Sequence, residues 1–358
     1  MKHVLMGNNP LLGYLGLKLL ELGKEVEWQE SANFTESPRP LKLLKKDLQK
    51  ISRQLAKAKT EIDFLLKAPA IDAHISPSQE ELETHAWPQT AEQLMHHCCP
   101  RLLKTALKKA FREKGGLLTS KEFFIAPSAE ERKNKLYVLD LKSSERKHWE
   151  QLHHYSTNEA SRSFYQLQCS LENNVLLDSN TISHFQFDGV HAILESSQSK
   201  KIIYNIFSHS EYLAHEHFKS IKNMNQQKHH SLQALFAMNT NFVLYAEKIF
   251  HDLSHFYFPD VFLMGSSIGE FSPILNRKSL ESFSQIEKLF KILKDSQTTK
   301  THQLHWNERT RKTFIKKIKW EKRWERFLFS SKKNSWEAPW SFYGMLPSSL
   351  KKLVNAQL

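Results

Sequence analysis

Residues 3–30, HVLMGNNPLLGYLGLKLLELGKEVEWQE, indicate the fold class of this 358-residue chain. A short apolar run is followed by the turn residues Gly7-Asn8-Asn9-Pro10, and leucines then recur at the three- and four-residue spacing that is typical of a helix. Gly23 provides a helix stop, and the alternating segment EVEWQE (25–30) predicts a second strand. Strand, turn, helix and strand in this order predict the opening βαβ unit of an α/β fold.

The turn after the first strand is a candidate phosphate site. The helix that follows it offers free backbone N–H groups and the positive end of its dipole to an anion. Glu30 closes the second strand, where an acidic side chain can accept a hydrogen bond from a ribose hydroxyl. The glycine pattern is incomplete, because Asn9 and Leu12 occupy its second and third positions, and the Asn9 side chain crowds the approach of a pyrophosphate. The segment alone is therefore equally consistent with a βαβ unit that binds no ligand.

Two later segments extend this pattern. KLYVLDL (135–141) predicts a buried strand, and FPDVFLMGSSIGEFSP (258–273) predicts another strand and a loop, before a helix at 278–293. Between them, alternating segments separated by turn residues predict successive strands at 164–171, 181–187, 190–196 and 201–209.

The order of these parts resembles the aromatic-hydroxylase branch of the FAD-dependent oxidoreductases. The stretch 23–30 is similar to the glycine-led second strand of that family, and Arg101 begins a helix as an arginine of the family does. Asp140 stands where the family has an Asp-Gly pair at the end of a strand. The family's later Gly-Asp pair, followed by a proline, is matched with one departure by Gly265, Ser266 and Pro273.

This resemblance implies an α/β fold in which a Rossmann-like FAD-binding domain carries an inserted, mainly antiparallel β-sheet substrate domain and a helical C-terminal tail. The FAD-binding domain is then expected at 1–150 and 251–300, and the sheet domain at 151–250. The basic, Trp-rich helical segment is expected at 301–358. A substrate would lie between the inserted sheet and the flavin ring.

The resemblance also implies a function, namely an FAD-dependent oxidoreductase or monooxygenase that acts on a hydrophobic organic substrate. FAD is the implied cofactor, and NAD(P)H is the candidate electron donor. The pattern identifies no catalytic residue. The implied cofactor-binding residues are Gly7, Asn9, Glu30, Arg39, Arg101, Gly265, Ser266 and Pro273.

A second interpretation remains open, in which the chain keeps the flavoprotein fold as a non-catalytic scaffold and has lost or weakened its flavin binding. Four residues favour it because they stand where the resembling enzymes have other residue types. They are Asn9, Leu12, Ser266 and Lys278.

Composition limits the location and the partners of the chain. Fifty-one Lys and Arg against 38 Asp and Glu give a formal net charge of +13, which favours anionic partners. The three cysteines form no C-x-x-C pair, and no apolar run is long enough to span a bilayer, so we expect a reduced, cytoplasmic protein. Several histidine pairs occur, but adjacent histidines point apart, so no metal site is predicted.

Two basic segments predict amphipathic helices. In residues 41–67, leucine and isoleucine recur at helical spacing on one face, and the opposite, outer face is basic. In residues 308–329, ERTRKTFIKKIKWEKRWERFLF, aromatic and aliphatic residues are interleaved with cations. The second segment is consistent with packing against the body of the protein or with contact to an anionic membrane surface, at the inner face of a membrane. Nucleic acid is a less favoured partner, because the chain carries no RNA-binding signature or helix-turn-helix.

Overall fold

A computed structural model describes most of the chain. The described residues are 1–32, 41–58, 72–76, 85–86, 95–122, 124–141, 145, 162–172, 181–187, 189–196, 201–223, 243–251, 260–269, 278–294 and 300–328. The strands are β1 (Lys2–Gly7), β2 (Val26–Ser31), β3 (Leu41–Leu44), β4 (Asp72–Ser76), β5 (His85–Ala86), β6 (Met95–Cys98), β7 (Leu117–Lys121), β8 (Lys135–Asp140), β9 (Arg162–Glu172), β10 (Thr181–Phe187), β11 (Val190–Ser196), β12 (Lys201–Ser208), β13 (Val243–His251) and β14 (Val261–Leu263). The helices are α1 (Pro10–Glu21), α2 (Lys45–Lys57), α3 (Pro100–Glu113), α4 (Ala129–Asn134), α5 (Glu211–Asn223), α6 (Lys278–Lys294) and α7 (Lys300–Leu328).

Within the described residues, the first sheet has five strands in the order β14-β8-β1-β2-β7, and every neighbouring pair is parallel. Helix α1 lies close against this sheet and against helix α3 because two of its residues have no side chain. A Cβ at Gly13 would lie 2.6 Å from the Trp28 ring of β2, and a Cβ at Gly16 would lie 2.6 Å from the Phe111 ring of α3. The predicted βαβ opening is therefore correct, and small residues allow its close helix–sheet packing.

In the part of the chain that the structure describes, the second sheet has seven strands in the order β13-β9-β12-β11-β10-β4-β5. All its neighbouring pairs are antiparallel except β4 and β10, which run parallel. Helix α5 covers one face, where the Tyr204 hydroxyl of β12 lies 3.1 Å from Nε2 of His217. Most of this sheet is inserted between β8 and β14 of the first one, which confirms the predicted fold class. Strands β4 and β5 also belong to it, although they precede β8 in the chain.

One sequence prediction is wrong at its start. Residues 41–44, expected to begin a long helix, form strand β3, which pairs antiparallel with β6. The helix α2 begins only at Lys45. The Leu43 side chain of β3 is fully buried, so long-range pairing rather than local helical spacing decides the conformation of these four residues.

Helix α7 packs on β14, the outermost described strand on one side of the first sheet. Nε1 of Trp306 donates to the carbonyl of Leu263 at 2.8 Å. The Asn307 side chain accepts from the Leu263 backbone N–H and donates to the Val261 carbonyl, both at 2.9 Å. Further along the helix, Phe314 and Ile318 are buried in a cluster that includes residues of β8 and β14. Among the described helices, none combines the length and the apolar character needed to cross a bilayer.

Candidate functional site

The carboxyl ends of β1, β2, β8 and β14 meet at one edge of the first sheet, because the four strands are parallel. In open α/β sheets this edge is where ligands bind. Here it consists of the turn after β1, the end of β2, Asp140 at the end of β8, and the short 3₁₀ turn Gly265–Ser267 after β14.

The N-terminus of α1 is closed by its own residues. Asn9 is the N-cap residue, and its Oδ1 accepts from the backbone N–H of Leu11 at 3.0 Å. The Asn9 carbonyl accepts from the N–H of Leu12, also at 3.0 Å. Pro10, the first helical residue, has no N–H. The first turn of α1 thus has no N–H at positions 10–12 that is left for a ligand.

A buried carboxylate lies beside this cap. Asp140 is 3% exposed, and its carboxylate accepts from Nδ2 of Asn9 at 2.6 Å and from the backbone N–H of Ser266 at 2.8 Å. Only glycine leaves room for it at position 265, because a Cβ there would lie 2.5 Å from Cγ of Asp140. Gly265 also has φ of 52°, which favours glycine. The Asp140 carboxylate therefore ties together the ends of β1, β8 and β14.

Further hydrogen bonds close the same edge. Oδ1 of Asn8 accepts from the N–H of Ser31 at 3.1 Å, and Nδ2 of Asn8 donates to Glu145. The N–H of Leu141 donates to Oγ of Ser267 at 2.7 Å. These bonds join β1 to β2 and β8 to the 3₁₀ turn. They satisfy polar groups at the edge from within the chain.

Glu30 at the end of β2 is paired with two lysines of α3. Its carboxylate lies 3.2 Å from Nζ of Lys104 and also forms an ion pair with Lys108. Glu30 and Lys104 are both buried. The two lysines are one helical turn apart, so both reach the same carboxylate. Glu30 is therefore already engaged by cations of the chain.

Ser266 behaves differently from its neighbours. Its backbone N–H is bonded to Asp140, but its Oγ is buried and has no hydrogen-bond partner among the residues that the structure describes. A buried hydroxyl in this state is rare, and it calls for an acceptor, a donor or an ordered water. The Ser266 hydroxyl therefore has capacity to bind an external ligand.

The structure brings together five of the residues predicted to bind a cofactor, namely Gly7, Asn9, Glu30, Gly265 and Ser266. Arg101 lies at the start of α3 with an exposed side chain. Arg39 and Pro273 lie outside the described residues. Sequence reasoning missed Asn8, Lys104 and Lys108. The i, i+4 lysines on a predicted helix were a signal of a shared anionic partner, although nothing in the sequence named Glu30 as that partner.

No family model matches the chain, and no curated protein matches it. Solved structures do. A p-nitrophenol 4-monooxygenase from Pseudomonas putida is 11% identical with a TM-score of 0.70, and the match covers 92% of this chain and 89% of that one. A flavoprotein/dehydrogenase from Cytophaga hutchinsonii is 10% identical with a TM-score of 0.69, over 92% and 86%. A flavin-dependent halogenase is 13% identical with a TM-score of 0.66, over 93% and 66%. The chain has a flavoenzyme fold. The predicted resemblance is thus confirmed for the fold.

The fold raises the question of whether these residues fit FAD. In a Rossmann-like unit, the diphosphate binds to free N–H groups at the first helix, close to backbone without side chains. Here Asn9 and Pro10 remove those donors, and the Asp140 carboxylate lies beside the cap. The residues at α1 do not fit an FAD diphosphate.

Proposed function

We propose that this chain is a non-catalytic binding scaffold with a flavoenzyme fold, in which FAD binding is lost or strongly weakened. The observation that carries the proposal is the closed N-terminus of α1, where Asn9 caps the helix and donates to Asp140. The carboxylate of Asp140 lies beside this helix terminus, where an FAD diphosphate would have to bind. The fold and its two sheets remain available for another ligand.

The free energy of this arrangement supports the proposal. Seating a diphosphate at α1 would break the Asn9 cap, which is worth about 1 kcal/mol. It would also break the hydrogen bond from Asn9 to the charged Asp140, worth about 1.5–3 kcal/mol, and would leave a carboxylate next to the phosphates. Together, the two broken contacts cost about 2.5–4 kcal/mol, which corresponds to a loss of affinity of about a hundred- to a thousandfold.

The test is an absorbance spectrum of the purified chain, before and after incubation with excess FAD and removal of the free cofactor. We expect a colourless protein in both states. A yellow protein that releases FAD on heating would refute the scaffold function.

An FAD-dependent oxidoreductase or monooxygenase that acts on a hydrophobic organic molecule is the second candidate. It is favoured by Oγ of Ser266, which is buried without a partner among the described residues, on the turn where the resembling family binds its cofactor. The known activities of the similar structures also favour it. It predicts a yellow protein that oxidises NAD(P)H. A chain that binds FAD but does not oxidise NAD(P)H would require another electron donor.

For the segment 308–329 we propose contact with an anionic membrane surface at the inner face of a membrane. Phe314 and Ile318 pack against the protein, so they are not available for insertion into lipid. The exposed face of α7 carries cations, among them Lys316 and Lys319. Such contact would therefore rest on charge and would weaken with salt.

A further inference from the structure

Strand β7 is the outermost described strand on the side of the first sheet that lies away from β14, and within the described residues it pairs with β2 alone. The carbonyl of Lys121 accepts from the N–H of Ala32, which follows β2, so the backbone groups of Lys121 point toward β2. The backbone groups of successive residues point to opposite sides of a strand. Those of Leu118 and Ser120 therefore point away from the sheet.

The outer side of β7 is accessible. Ser120 is exposed, and Leu117, at the start of the strand, is 50% exposed. In the described part of the chain, no backbone hydrogen bond reaches Leu118 or Ser120 from outside the sheet. Each of these two residues thus presents one N–H and one carbonyl to a further strand, and sheets bind extended segments of other proteins through such groups.

A row of cations on α3 lies beside this strand. Its members recur at three- and four-residue spacing and so lie on one side of the helix: Arg101, Lys104, Lys108 and Arg112. Glu30 fixes the position of the row, because it binds the two lysines and stands opposite Ser120 of β7 in register. Leu118 packs against the core on the same face of the sheet. The cationic row therefore runs over this face of β7.

The row carries an excess of positive charge. Its four cations are balanced by one carboxylate, that of Glu30, and Arg101 and Arg112 at its two ends are exposed. Around the row, two exposed acids are outnumbered by three exposed cations: Glu113, Glu122, Lys109, Lys114 and Lys121. A second copy of this chain would bring the same cations to β7 and be repelled, whereas an acidic segment would be attracted.

From this geometry we infer that the outer side of β7 binds an extended segment of a partner protein in which acidic and apolar residues alternate. The segment lies beside β7 as an additional strand and bonds to the backbone of Leu118 and Ser120. Because side chains alternate between the two faces of a strand, its acidic side chains lie under the cationic row and its apolar ones cover Leu117 on the other face. The inference goes beyond the scaffold function and does not depend on FAD, because it rests on the outer backbone of β7.

The first test is fluorescence anisotropy with two peptides that carry fluorescein at the N-terminus. One is Glu-Val-Glu-Val-Glu-Val-Glu, and the other has lysine in place of each glutamate. We expect the acidic peptide to bind at least about tenfold more tightly than the lysine peptide, because only its charges complement the cationic row. Equal binding of the two peptides, or binding of neither, would overturn the inference.

Two N-methylated forms of the acidic peptide test whether it binds as a strand. In an added strand only every second N–H points toward β7. Methylation of the nitrogens of all glutamates, or of all valines, therefore removes either the N–H groups that bond to β7 or those that point to water. We expect one form to bind at least about tenfold more weakly than the other. Equal binding by the two forms would show that no strand is added, and would overturn the inference.

Two double variants locate the contact. Arg101→Glu with Arg112→Glu reverses both ends of the cationic row and should weaken binding of the acidic peptide at least about tenfold. Lys316→Glu with Lys319→Glu is the matched control, because it changes the net charge equally on α7, which packs at the opposite side of the sheet. This control should keep the affinity of the wild type within about threefold. Equal weakening by both double variants would show that the net charge of the protein attracts the peptide, and would overturn the assignment to β7.

Discussion

Replacing Gly265 by alanine tests the role of the Asp140 carboxylate at the edge of the first sheet. The new Cβ would lie 2.5 Å from Cγ of Asp140, which is far inside van der Waals contact, so the carboxylate must move. Asp140 then loses at least one of its bonds, to Nδ2 of Asn9 or to the N–H of Ser266. A hydrogen bond to a charged group contributes about 1.5–3 kcal/mol. The left-handed backbone at position 265 adds about 1–2 kcal/mol for any residue with a Cβ.

The expected fall in the free energy of unfolding is therefore about 2.5–5 kcal/mol, measured by urea denaturation. Gly23→Ala and Gly115→Ala are the matched controls, because both glycines have positive φ, of 71° and 82°, and a Cβ at either would meet nothing within 4 Å. They carry the backbone cost alone and should lose about 1–2 kcal/mol. If all three variants lost the same free energy, Asp140 would not be the group that makes glycine necessary at position 265.

Changes at Asn9, at His217 and at two lysines of α7 test other contacts of the molecule. Asn9→Gly frees the N–H of Leu11 and removes the hydrogen bond to Asp140. The affinity for FAD, measured by quenching of flavin fluorescence, should therefore rise at least tenfold. An unchanged affinity would show that the closed N-terminus of α1 does not cause weak FAD binding. Burial lowers the pKa of His217 to about 4, so the unfolded chain binds a proton before the folded one does, and stability should fall by up to about 3 kcal/mol as the pH drops from about 6.5 to 4. In His217→Gln this part of the pH dependence should disappear, whereas identical profiles would exclude His217 as its source. The double variant Lys316→Glu, Lys319→Glu reverses two exposed charges of α7. Its binding to anionic liposomes, measured by co-sedimentation at low salt, should be at least tenfold weaker than that of the wild type. Unchanged binding would refute the membrane proposal.

The local part of the fold was readable from the sequence. Helix α1, strand β2 and helix α6 follow the spacing of their apolar residues, because each buries one face or stripe. Gly13 and Gly16 of α1 lie against the rings of Trp28 and Phe111, which fill the space that the two glycines leave. These features depend on neighbours in the chain or on burial alone.

Pairings between distant segments were not readable. Leu41 and Leu44 fit helical spacing equally well, and only the partner strand β6 makes them a strand. Strands β4 and β5 join the second sheet from a region that gave no strand signal. At the candidate site, the sequence indicated that Asn9 crowds a phosphate. It gave no sign that the Asn9 amide would meet Asp140, because that contact joins residues far apart in the chain.

The contact between α7 and β14 has a consequence for self-association. Strand β14 is the last strand on its side of the first sheet, so its outer backbone groups would offer a template for a strand of another molecule. The side chains of Trp306 and Asn307 bond instead to the carbonyls of Val261 and Leu263 and to the N–H of Leu263. A helix thus supplies through its side chains the hydrogen bonds that a neighbouring strand would supply through its backbone. It thereby protects this edge against aggregation through strand addition.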